Sequence, residues 1–190
     1  MCLYSAHLPL LFAPFIFTDF IYTKRHMEQD KDILKDEELT ARIHDIVWQV
    51  NKSWEHNRYI EGLVAKIIDT HGAVINLDIQ DIKAMKKSGG EIVGIENCVP
   101  ADSPNRMATL IEQIQLDGAF ERDINRIILK FFYPEDNPLM MEEQAPLTEW
   151  MESLSNEDTV FIWGLASEEN SNLLRAIILG QKANRNDHTE

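Results

Sequence analysis

The chain has 190 residues, 44% of them hydrophobic, enough for one domain with a real core and hardly for two. Its 18 lysines and arginines stand against 32 acidic residues, a net charge of −14, which argues against a nucleic-acid or anionic-membrane binder because phosphate-rich partners demand clustered positive charge. Two separate cysteines, Cys2 and Cys98, supply neither a disulfide framework nor a zinc spacing, so a protein of the reducing cytoplasm is expected.

Residues 1–26 differ from the rest. The apolar stretch LPLLFAPFIFTDFIY (8–22) carries Pro9, Pro14 and Asp19 and is shorter than the roughly 20 residues that span a bilayer. Lys24 and Arg25 follow it instead of preceding it, and no small-residue cleavage site comes next, unlike a signal peptide. We therefore expect no stable membrane insertion, a leader outside the fold, a domain over 27–181 and a polar tail over 182–190.

From about 36 to 70, Ile43, Ile46, Val47, Val50 and Trp54, then Ile60, Leu63, Val64, Ile67 and Ile68, recur at helical spacing. No proline interrupts them, which predicts one long central helix that stops at His71-Gly72. A short helix over 79–87 ends at Ser88-Gly89-Gly90, and EIVGIENCV (91–99) reads as a strand. A helix starts near Asn105, and the β-branched and aromatic run DINRIILKFFY (123–133) is expected at the centre of a sheet. LTEWMESL (147–154) is a helix with Thr148 as its candidate cap. TVFIWGLAS (159–167) and NLLRAIILG (172–180) form a hairpin-like pair around an acidic turn. The predicted fold class is α+β: a mixed sheet of about four strands covered by helices and preceded by the long helix.

The segment VINLDIQDIKAMKKSGGEIVGI (74–95) resembles a stretch of the bacterial cell-division GTPase FtsZ, from its N-x-D-x-x-D loop through a short helix into a strand. DSPNRMATLIEQIQ resembles the helix that this family opens with a G-E-D-R-A type segment. NRIILKFFY, LTEWMESL and the last two strands follow the order of the FtsZ C-terminal domain, and YIEGLVAKI is similar to the last turns of its central helix. The similarity spans about 36–181 and rests on order and spacing. The glycine-rich GGGTGTG loop of the GTP-binding half is absent from this sequence, and Trp54 stands near the place of a guanine-contacting acidic residue. The resemblance implies a C-terminal domain of the tubulin/FtsZ family without the GTP-binding half, with no cofactor of its own.

Two readings of the polar residues after β-branched Ile75 are open. From the residues alone, Asp78 caps the helix at 79–87 and Asp81 lies in its first turn, where negative charge suits the helix dipole. The resemblance adds a second role, because in the family this loop reaches the GTP of a neighbouring subunit and its acidic residues position the attacking water. It implies that Asn76 shapes the loop while Asp78 and Asp81 address water, in trans only. His44, His56 and His71 lack metal-ligand spacing and are expected to be solvated or structural, so no metal site is expected. Cys98 reads as a small buried residue, and Leu139, Met140 and Met141 with Trp150 and Met151 read as packing or a soft contact surface.

The expected function is that of a non-enzymatic interaction domain whose partner is a protein, an FtsZ-type GTPase in the concrete version. A self-associating or adaptor scaffold is the alternative, with homo-oligomers in view. A small-molecule enzyme on the same fold has no visible nucleophile, base pair or metal set to recommend it.

Overall fold

The apolar run 127–132, broken only by Lys130, belongs to strand β3 (Ile124–Pro134), where every side chain of the run is buried, Lys130 included. A strand covered on both faces also needs neighbours on both edges, and β3 has them. It runs parallel to β4 (Val160–Glu168) and antiparallel to β5 (Leu173–Lys182). The full sheet order is β1 (Ala73–Ile75), β4, β3, β5 and β2 (Ile92–Pro100). The computed structural model describes residues 37–50, 54–88, 90–118, 120, 124–155 and 159–182. The leader over 1–26, the tail beyond Lys182, Gly89 and the side chain of Trp54 lie outside the described residues.

The α+β class with a mixed sheet holds, and the run at 123–133 is the central strand as expected. The sheet has five strands where about four were expected, because the short β1 lies in a stretch that reads as irregular. The last two strands are not a hairpin: β3 lies between them. Residues 169–172 carry the chain past the end of β3, with Asn170 in the left-handed region at φ 54°. The doubly apolar β3 takes the interior position that a hairpin would have denied it.

The helical stretch at 36–70 is not one spine but two helices, α1 (Glu37–Val50) and α2 (Trp54–Ile68), folded against each other. Trp48 Nε1 donates to Glu61 Oε1 at 2.7 Å, and His44 Nδ1 lies 2.9 Å from the same oxygen. On one continuous helix these pairs would be about 20 and 25 Å apart. The reason is burial. Ile43, Ile46 and Val47 of α1 join Ile60, Leu63, Val64 and Ile67 of α2 in one cluster with Ile82 and Met85 of α3 (Ile79–Ser88) and one face of the sheet. A straight extension would leave the α1 set in water, at a cost of about 1.5–3 kcal/mol per large aliphatic side chain.

The other face of the sheet is covered by α4 (Arg106–Asp117) and α5 (Ala145–Leu154), through Leu110, Ile111, Ile114 and Trp150. Thr148 is not a cap. The helix begins earlier, with a proline in its first turn, and Thr148 Oγ1 donates back to Gln144 O at 3.3 Å. Among the described residues no helix is long and apolar enough to cross a membrane.

Candidate functional site

The chain leaves α2 through a tight turn, and that turn determines where everything up to α3 is placed. Gly72 has φ +64°, and a Cβ there would stand 2.1 Å from Ser167 O, so only glycine passes this close to β4. Its carbonyl accepts from Ser167 N at 2.8 Å, and Ala73 N donates to Thr70 O at 3.1 Å. β1 then pairs with the end of β4, Ala73 beside Ala166 and Ile75 beside Leu165. Leu77 is buried against Gly164, where an added Cβ would meet its Cγ at 2.8 Å.

Between these anchors the polar residues turn outward. Asn76 and Asp78 are exposed and Asp81 is half-buried. Asp78 Oδ1 accepts from Gln80 N at 2.6 Å and Asp81 N at 3.3 Å, while Asp81 Oδ2 accepts from Asp78 N at 2.8 Å. This is a reciprocal capping box, with aspartate in both positions. The capping reading of the sequence is thus realised, and it leaves one oxygen of each carboxylate outside the box. No hydrogen bond among the described residues ties Asn76 to either carboxylate.

Half of the exposed large apolar side chains of the described residues stand on edge strand β1 and its neighbour β4: Val74 and Ile75 on β1, Val160 and Trp163 on β4. Trp163 lies two residues from both Phe161 and Leu165, which pack toward α4 and α5, so it belongs to that face of the sheet. Trp150 is core, while Met140 and Met141 are exposed.

Several charged residues that the sequence reading overlooked are buried. Lys130 Nζ donates to Ile67 O at 2.9 Å and Asp69 O at 2.5 Å, at the C-terminal end of α2. Burial pushes its ammonium down to about 8, against the pull of Asp69. Arg175 lies over the Phe132 ring at 3.9 Å and pairs with Glu96 and Glu168. Burial alone would push the Glu96 carboxyl up, but Arg175 and Lys66 together hold it below the usual carboxylate range. The available signal was a lysine within the otherwise apolar run 127–132, since a buried charge must find partners.

His44, His56 and His71 each have a local contact. His44 stacks on Trp48 with ring centres 4.8 Å apart, His56 Nε2 lies 2.9 Å from Ile92 O, and the hydrogen bond to Asp69 holds His71 above its ordinary value. Cys98 is only half-buried in β2. Among the described residues no group of three His, Cys, Asp or Glu could hold a metal ion.

No protein-family model matches the chain, and no curated protein matches it. Solved structures do. FtsZ of M. jannaschii, solved as an empty dimer, is 20% identical with a TM-score of 0.50, over 75% of this chain and 43% of that one. TubZ of Bacillus thuringiensis serovar israelensis, in GDP-form protofilaments, is 9% identical with a TM-score of 0.52, over 66% and 36%. The four-stranded TubZ-Bt filament matches at 9% identity and a TM-score of 0.52, over 83% and 48%. At these identities the likeness is one of fold, and the chain spans less than half the length of each of these proteins.

Proposed function

We propose that this chain, which has the fold of the tubulin/FtsZ C-terminal domain, is a non-enzymatic protein-interaction domain. It docks its acidic loop on a GTP-bearing FtsZ-type partner in the cytoplasm and modulates or caps that partner's polymerisation. The observation that supports this reading is the capping box at the start of α3. It makes Asp78 and Asp81 rigid, keeps them at the surface and leaves an acceptor oxygen on each. Two fixed carboxylates can orient a water in line with a phosphate that another molecule brings, which is most of what phosphoryl transfer asks of protein side chains. Asn76 precedes them on the same exposed segment, and Val74 and Ile75 supply apolar contact beside it.

The charge of −14 opposes approach to an acidic partner at low salt, so local complementarity must win at contact and screening should help the encounter. Co-sedimentation and GTP turnover of an FtsZ-type GTPase, with and without the domain, test the proposal. The wild-type domain is expected to change both, and Asp78→Asn together with Asp81→Asn to abolish the change in turnover. No effect on either readout, at low and at high salt, rejects it.

A second reading, a self-associating scaffold, is favoured by Trp163, which is 43% exposed on β4. Sedimentation velocity across a concentration series distinguishes it: a concentration-dependent dimer lost in Trp163→Ser supports self-association, and a monomer throughout removes it.

A further inference from the structure

We infer that Lys130 is a positioning residue for the acidic loop, acting through the turn at 69–72. The residue belongs to the central strand, is fully buried and spends both of its hydrogen bonds on main-chain carbonyls. A leucine or methionine there would avoid the cost of burying a charge, so the lysine needs a reason. The end of α2 supplies it. The last carbonyls of a helix have no partner within the helix, and here the Lys130 bond to Ile67 O is buried and that to the following Asp69 O is part-buried. An ammonium group offers three donors and carries the sign that a helix C-terminus favours.

The charges around it fit this task. Glu168 and Glu96 are both taken up by Arg175, and Glu96 also by Lys66. Asp69 turns its Oδ1 to the His71 main-chain N–H at 3.1 Å and to the His71 ring at 2.5 Å. Lys130 therefore forms no carboxylate pair among the described residues. It lies 5.2 Å from the Phe132 ring centre and holds the chain where it leaves the helix.

What depends on that hold is the route to Asp78. β1 is three residues long and its register shifts between Ala73 and Ile75, so strand pairing alone locates it weakly. The fixed points are the Lys130 clasp, the Gly72–Ser167 hydrogen bond and Leu77 against Gly164. Removing the first releases the root of the segment while leaving the sheet paired. That this loop serves a partner rests on the reading above; the positioning role of Lys130 does not.

The test is hydrogen–deuterium exchange of the full chain as wild type, Lys130→Met and Lys130→Gln, all at one pH. Met keeps the bulk and loses every donor, whereas Gln keeps a donor on a shorter arm. Exchange over 70–81 is expected to rise about tenfold or more in Lys130→Met, with less of a rise in Lys130→Gln and little change over 127–133 and 174–180. An equal rise across the sheet, no rise over 70–81, or Gln no better than Met overturns the inference. Failure of both variants to fold overturns it as well, since Lys130 would then be needed for the whole fold. The exchange measurement requires no partner, so its failure is distinguishable from failure of the proposed docking.

Discussion

The starts of α3 and α4 solve one problem in opposite ways. At α3 the free N–H groups are served by Asp78 and Asp81, each of which caps the other's end of the turn from the surface. At α4 no side chain caps the helix: Asn105 is left-handed at φ 57°, and the first helical residue is Arg106, a cation where the dipole would prefer an anion. Arg106 is 4% exposed because it serves other elements. It donates to Ala101 O, Asn137 O and Pro138 O and grips both oxygens of Glu143. Its hydrogen bond holds the Glu143 carboxyl below the usual range. One helix start is thus a knot that fastens three loops, with its donors spent inside. The other is a platform with acceptors left over.

Arg106→Met should break the knot. It strands Glu143 and three carbonyls, so unfolding in urea is expected to show a loss of about 3 kcal/mol or more. Turnover effects on a partner should persist wherever the variant remains folded. Loss of partner effects in the folded variant would mean that the two starts are coupled.

Lys130 gives the comparison a third case, a buried cation without a carboxylate grip. The unfolded lysine keeps its proton up to about 10.5, while the folded one releases it at about 8. Between those values the unfolded chain binds more protons, so the wild type should gain stability as pH rises from 8 to 10.5. Urea midpoints measured against Lys130→Met over this window should diverge in favour of the wild type. Parallel midpoints would mean that burial does not depress the ammonium.

At the platform the effect on folding should be smaller. Asp78→Ala loses one half of the capping box and is expected to cost roughly 1 kcal/mol. If the loop acts on a partner, its effect on GTP turnover should exceed what this small loss of folded protein explains. An effect on stability alone would leave Asp78 a cap and nothing more. Smallest of all, Trp163→Ser is expected to change stability by no more than about 0.5 kcal/mol, as for an exposed site. Its readout is association state, and a large loss of stability would show that Trp163 belongs to the core.

Much of this was legible beforehand. The apolar run around Ile128 announced a central strand, and the spacing of Asp78 and Asp81 announced a cap, because burial pattern and capping are decided by residues close in sequence. Thr148 misled for a local reason: a Thr-x-x-x pattern inside a helix can return its hydroxyl to the preceding turn instead of capping the next. β1 escaped notice because three residues are too few to show alternation.

The sequence by itself determined the helical or strand character of the longer segments, their apolar periodicity, and that acidic side chains open α3. Only the tertiary structure decided that α1 folds back on α2, that β3 separates β4 from β5, and which carbonyls Lys130 and Arg106 would serve. The physical reason is distance along the chain. Glu61 meets His44 across 17 residues, Arg106 meets Glu143 across 37, and Lys130 meets Ile67 across 63. Periodicity says that a side chain must be buried, but the partner it finds there depends on how the whole chain closes around it.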